Sequence, residues 1–312
     1  MKDYSHATNE FVRSLLQRAM NTNSVGLIGV GLLGSALANR LMKDGRGVHG
    51  FDTNEEQLQA LSQCGGIACD SAAEVVQNCD VLILSLPTSD VVLSLVRQLR
   101  TDFEPSQIVV DTTTGDPQQM IAVGQSLAEL GVSYLEATVA GSSAQVTAGE
   151  AALLLGGDAE VVESVKPLLA AITSKHFWFG PVGTASRFKL VHNLVLGLHR
   201  AVLAEGLVFA ESLGFDPNQV LEILKQTPAA SRVMEIKGRR MVEGDYGIQA
   251  RLSQHLKDVR LILAEAERAG ANTPLSRIHQ TILEHAAELG FGDADNSAVI
   301  EAFRHPNDAE DS

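Results

Sequence analysis

Two groups of residues in this chain have types and spacings that can do chemistry. In the first, Gly29-Val30-Gly31-Leu32-Leu33-Gly34 sets three glycines in a G-x-G-x-x-G pattern, and Asp52 stands eighteen positions after Gly34. Glycines so spaced suit a tight turn at Gly29, a close backbone approach to a pyrophosphate at Gly31, and close helix-on-strand packing at Gly34. Leu32 and Leu33 open the following helix, whose N-terminus offers N–H donors and partial positive charge to phosphates. Asp52 suits a ribose 2′-hydroxyl and repels a 2′-phosphate, and Thr53-Asn54 brings no arginine to hold one. NAD is therefore the expected cofactor, with NADP the alternative through Arg40, Lys43 or Arg46. In the second group, Lys189, His192 and Asn193 fall at i, i+3 and i+4, on one helix face. Lysine and asparagine on an otherwise apolar helix are costly unless paired or used. On pattern alone, Lys189 reads either as a snorkelling surface lysine or as a functional amine.

The elements that must position these groups follow from periodicity. Short apolar runs at residues 25–28, 48–51, 81–84, 108–110 and 132–135 read as buried strands. Helical stretches at 34–44, 53–63, 90–100 and 117–130 separate them. Strands alternating with helices of this length predict βαβ crossovers and a parallel sheet covered on both faces. Two further strands are expected at 151–155 and 176–179, with one helix over 158–171 between them. After Gly183 the strands stop. Residues 185–213 read as one long helix, apolar on most of its circumference and interrupted by Arg187, Lys189, His199, Arg200 and Glu205, which argues against a membrane span. Helices follow at 217–226, 253–269, 274–289 and 296–303. The expected organisation is an α/β protein: an N-terminal extension over 1–23 with a short amphipathic helix, a Rossmann-type domain over 24–186, an all-helical domain over 187–305, and a disordered tail over 306–312.

Composition narrows the function classes. At 312 residues, the chain is long enough for two domains and a cleft. With 45% hydrophobic and 20% charged residues it has globular composition. Its net charge of −14 disfavours nucleic acid and anionic membranes, and 4% aromatics leaves few stacking platforms for single strands. Cys64, Cys69 and Cys79 form no Cys-x-x-Cys pair, so a reducing, cytoplasmic setting is expected. No secretory signal pattern is read at the N-terminus. No His, Cys and carboxylate cluster has ligand spacing, so no metal is expected.

From Ser24 to Phe303 the sequence resembles the β-hydroxyacid dehydrogenase family, which includes 3-hydroxyisobutyrate dehydrogenase, tartronate semialdehyde reductase and 6-phosphogluconate dehydrogenase. Besides the glycine motif, four blocks carry the likeness. Leu84-Ser85-Leu86-Pro87 is similar to the family's turn beside the cofactor. Asp111-Thr112-Thr113-Thr114 is similar to its Asp-x-Ser-Thr segment near the nicotinamide. Residues 183–189, Gly-Thr-Ala-Ser-Arg-Phe-Lys, followed by His192-Asn193, resemble its catalytic stretch. Lys257-Asp258 resembles its Lys-Asp pair, whose lysine closes over the cofactor.

The resemblance implies Lys189 as general acid/base and Asn193 as its substrate-holding partner. It implies cofactor contacts at Leu86, Pro87, Thr114 and Lys257, and a substrate side lined by Thr113, Ala140, Gly141, Ser142 and Ser143. The family's Asp-Ala-Pro-Val-Ser-Gly-Gly stands here as Glu136-Ala137-Thr138-Val139-Ala140-Gly141-Ser142. Ala140 removes a carboxylate-holding hydroxyl, for which the Gly141 backbone and the Ser142 and Ser143 hydroxyls can substitute. His192 stands where asparagine is usual, as a spacer, a core histidine or a substrate contact. The expected function is hydride exchange between nicotinamide and a small β-hydroxy acid or its semialdehyde, in a homodimer or homotetramer. The alternatives are an imine reductase-like enzyme, whose relatives generally lack the lysine, and a non-catalytic dinucleotide-binding sensor.

Overall fold

The structure is a computed structural model that describes residues 24–306. The expected N-terminal helix and most of the expected tail lie outside the described residues. The chain divides into two units, one running to Lys189 and one from Leu190 onward.

The first unit is built on a single eight-stranded sheet. Its elements are β1 (Ser24–Ile28), α1 (Leu32–Lys43), β2 (Gly47–Phe51), α2 (Glu55–Gln63), β3 (Ile67–Ala68), α3 (Ala72–Asn78), β4 (Val81–Leu84) and α4 (Ser89–Gln98), continuing with β5 (Ile108–Asp111), α5 (Pro117–Ala128), β6 (Ser133–Ala140), α6 (Ser143–Ala148), β7 (Ala152–Gly156), α7 (Ala159–Ser164), α8 (Lys166–Ile172) and β8 (His176–Trp178). The strand order is β3-β2-β1-β4-β5-β6-β7-β8. Both faces are apolar, as the strand period dictates: in β4, Val81 and Ile83 join one core cluster, while Leu82 and Leu84 join the other. Leu27, Leu37, Leu135 and Leu153 fill the first cluster, and Val75, Val92, Val109 and Leu127 the second.

Two expectations need correction here. The sheet is not wholly parallel, because β7 pairs antiparallel with β6, placing Glu136 opposite Gly156. The residues 141–151 between them are too few for a covered crossover, and the six-residue α6 turns the chain back instead. The single helix over 158–171 breaks at Val165, since Pro167 lacks the N–H that an uninterrupted helix would use. The short β3 and α3 carry no signal in the sequence. Ile67–Ala68 spans only two residues, and α3 only seven, too short for a clear period.

In the second unit, the long helix α9 (Thr184–Ser212), which starts in the first unit, is followed by α10 (Pro217–Leu224). A π turn over Met234–Gly238 leads into α11 (Arg239–Glu243), and then come α12 (Leu252–Ala269) and α13 (Pro274–Ala286). A π turn, a 3-10 turn over Asn296–Ile300 and α14 (Glu301–Arg304) close the described chain. Leu203, Leu207, Leu221, Met241, Leu252, Val259, Leu283 and Ile300 form its core. Asp295, fully buried, gathers this unit: it pairs with Lys237 at 2.7 Å and accepts N–H groups of Gln249, Ala250 and Ser297. Burial pushes its carboxyl upward, but the Lys237 ammonium and the Ser297 donors outweigh that and hold it at about 2. By length and composition α9 passes for a membrane span, with a mean hydropathy of 1.4. Yet Asn193 and Arg200 are buried along it, as are Leu203 and Leu207, the pattern of a core helix.

Candidate active site

The glycine loop lies where the strand order reverses, between the carboxyl ends of β1 and β4. Gly29 has φ +94°, open to glycine, and a Cβ there would overlap the Ser85 carbonyl. A Cβ at Gly34 would overlap the Gly29 carbonyl, so α1 sits against β1 only because residue 34 has none. At Gly31 the situation is the opposite, because a Cβ there would meet nothing within 4 Å. Gly31 is also the N-cap of α1 and makes no side-chain cap, whereas α2 to α7 are capped by Asn54, Ser71, Thr88, Asp116, Ser142 and Asp158. Open space over an uncapped helix N-terminus fits a dinucleotide pyrophosphate. Leu32 is exposed at this point, whereas Leu33 packs against the core.

Asp52 is aimed at this loop. Its Oδ2 accepts the Val30 N–H at 2.6 Å and its Oδ1 accepts the Asn54 N–H at 2.9 Å, leaving Thr53 exposed at the bend. On the other side of β1, Ser85 donates its N–H to the Ile28 carbonyl, and the following Leu86 donates to the Thr113 hydroxyl at 3.2 Å. Thr113 is 2% exposed, so it braces the turns after β4 and β5 together. Pro87 and Thr114 stand beside these two residues in the same turns.

The candidate amine is built by β6 and the start of α9. Lys189 is buried, and its Nζ donates to the Val139 carbonyl at 2.6 Å. Phe188 stacks on Phe179, with ring centroids 4.2 Å apart. Ala140 ends β6, and Gly141 leaves no room for a Cβ against Ala151. Ser142 closes a capping box with Gln145, which engages its hydroxyl as the N-cap of α6, and Ser143 is the first residue of that helix. In the second unit, Asn193 Nδ2 donates to Asp258 Oδ2 at 2.8 Å, and Lys257 Nζ lies 3.1 Å from Asp258 Oδ1. His192 Nδ1 lies 3.0 Å from Asn193 Oδ1. One carboxylate therefore orients both the Asn193 amide and Lys257.

Sequence reasoning missed three carboxylates. Asp258 was visible only as half of a Lys-Asp pair. Asp111 is fully buried, accepting the Thr113 N–H at 2.8 Å and the Tyr134 hydroxyl at 2.8 Å. Burial pushes it up to about 6 against the pull of those donors. Glu136, its register neighbour on β6, is equally buried, and burial pushes it to about 7 despite bonds from Ser186 and Gly183. No periodicity marks a buried acid inside a strand.

A crevice fitted to a dinucleotide, in a unit that ends in a buried lysine, defines a nicotinamide-dependent oxidoreductase. Comparisons agree. Residues 24–180 match the NAD-binding domain of 6-phosphogluconate dehydrogenase, and residues 183–303 match the NAD-binding family of NADP-dependent 3-hydroxyisobutyrate dehydrogenase. L-threonate dehydrogenase of Cupriavidus necator is 30% identical over 286 residues, covering 90% of this chain and 96% of the relative. The 2-(hydroxymethyl)glutarate dehydrogenase of Eubacterium barkeri is 28% identical, covering 89% and 94%. The crystal structure of 3-hydroxyisobutyrate dehydrogenase from Salmonella typhimurium superposes with a TM-score of 0.82 at 25% identity, covering 90% and 99%. The chain belongs to the β-hydroxyacid dehydrogenase family, and it is an NAD(P)-dependent oxidoreductase acting on CH–OH groups.

Proposed function

We propose that the chain interconverts a small β-hydroxy acid and its semialdehyde, with NAD as the preferred cofactor and Lys189 as the acid/base. The observation that carries this reading is the Lys189 amine, buried and tethered at 2.6 Å to the neutral Val139 carbonyl at the end of β6. When bound, the nicotinamide supplies the hydride acceptor or donor. In oxidation, a neutral Lys189 takes the proton of the substrate hydroxyl, and in reduction the ammonium returns it to the carbonyl oxygen. The Val139 carbonyl fixes the position of the amine at the end of β6. Asn193, one helical turn further on, is oriented by Asp258 and offers its second amide hydrogen to the substrate oxygen. In this reading Ala140, the Gly141 backbone and Ser143 serve the acid side, and Thr113 braces the turns after β4 and β5. Lys257 is held beside Asp258, and the resemblance gives it the role of a cofactor contact.

The substrate class is supported by relatives whose names specify L-threonate, 2-(hydroxymethyl)glutarate, and glyoxylate or succinic semialdehyde. NAD is supported by the Asp52 carboxylate at the loop. The cytoplasm is supported by three free cysteines, two of them buried. A homodimer is supported by Val191, Val195, Val202 and Phe209, all exposed on α9. Lys189→Ala is expected to keep NAD affinity and lose about three or more orders of magnitude in kcat, as removal of an acid/base group does. Absorbance of the reduced cofactor across a panel of hydroxy acids, aldehydes and imines reads this out. Undiminished turnover would remove Lys189 from the reaction, and NAD binding without turnover of any compound would favour the sensor reading.

A further inference from the structure

Glu136 lies inside the segment that the resemblance places at the substrate, yet its carboxylate is fully buried and turned to the start of α9. Its Oε2 accepts the Gly183 N–H at 2.6 Å, and its Oε1 accepts the Ser186 hydroxyl, with the Ser186 backbone N–H adding a third donor. Gly183 precedes the first helical residue, Thr184, and has no side chain with which to cap the helix. Ser186 is the third residue of the helix, the position whose N–H a local cap normally satisfies. Glu136 therefore caps α9 from a neighbouring strand. The chain makes room for it: Gly156, its register partner on β7, lacks the Cβ that would overlap Oε2.

Three residues further along β6, the Val139 carbonyl binds Lys189 Nζ, and Ser186 lies one turn before Lys189 on the same helix. One strand thus holds the first turn of the helix at residue 136 and the tip of the lysine at residue 139. We infer that Glu136 is a positioning residue for the reaction: by capping α9 from β6 it fixes where the helix delivers the Lys189 amine. This rests on Lys189 being the acid/base. A frayed first turn would let the amine wander, and a displacement of about 1 Å at a reacting group can cost about 100-fold in rate.

The test is Glu136→Gln, which keeps the volume but sets an amide NH2 against donors. Turnover is measured per titrated NAD-binding site, so loss of folded protein is factored out. The expected result is a kcat lower by about 10- to 100-fold, KM and NAD affinity within about twofold, and a displaced pKa for the pH-profile limb that belongs to the amine. Loss of active fraction alone would leave that limb unmoved. Should Glu136→Gln not fold, Ser186→Ala decides, because it deletes only the hydroxyl partner; about a threefold to tenfold drop in kcat is expected. An unchanged kcat and pH profile in the folded variant overturns the inference. Lys189→Met, assayed in parallel, separates the two claims: if it retains turnover, the Lys189 reading fails, and with it the basis for this one. If it is inactive while Glu136→Gln is normal, only the positioning role fails.

Discussion

At the scale of single residues, Asp52 shows how a backbone can aim a carboxylate. Its two oxygens take the Val30 and Asn54 N–H groups, fixing its rotamer, and each still has a lone pair for a ribose hydroxyl. Asp52→Ala is expected to lower kcat/KM for NAD by about tenfold or more, the worth of a charge-assisted hydrogen bond, while raising it for NADP. The ratio of the two specificity constants checks this, and a ratio that stays put would move cofactor choice elsewhere. Residues of this kind are legible in the amino-acid order itself, because glycine spacing and a following acid are local features. Glu136 and Asp258 are not. Glu136 bonds to Gly183 and Ser186, about fifty positions away, and Asn193 reaches Asp258 across 65. No window on the sequence spans such pairs.

At the scale of elements, β5 and β6 carry Asp111 and Glu136 side by side in register, both with folded pKa values raised above their ordinary ones. Across roughly pH 4 to 7 the folded chain therefore binds more protons at these two sites than the unfolded chain does. Their contribution to stability is complete below the unfolded values and is lost as pH rises through about 6 and about 7. Denaturant titrations of the cofactor-free protein between pH 5 and 8 are expected to show this decline, and Asp111→Asn with Glu136→Gln to flatten it. A slope unaltered in the double variant would assign it to other groups. The elements themselves were largely legible, since β4 alternates its side chains between two cores and α9 is an apolar run of 29 residues, far longer than a strand. The antiparallel β7 was not, because its sequence is equally apolar in either direction, and only the shortness of the link through α6 decides which way it runs.

At the scale of the whole molecule, α9 leaves Val191, Val195, Val202 and Phe209 exposed, the last two at 67% and 64%. They are the side chains that the proposed dimer would bury. Val202→Glu with Phe209→Glu is expected to yield a monomer by sedimentation where the parent sediments as a dimer or tetramer, since a carboxylate buried at an interface stays unpaired. A parent that sediments as a monomer would remove the assembly.

What the residues alone determined is whatever depends on near neighbours: the glycine spacing that suits a dinucleotide, the strand and helix periods, and the lysine three positions ahead of His192 and four ahead of Asn193. Tertiary structure alone decided which acids are buried and what they grip. Desolvation and hydrogen bonding act through space, and a carboxylate in the middle of a strand has no partner until the sheet has formed and the following helix has been laid against it.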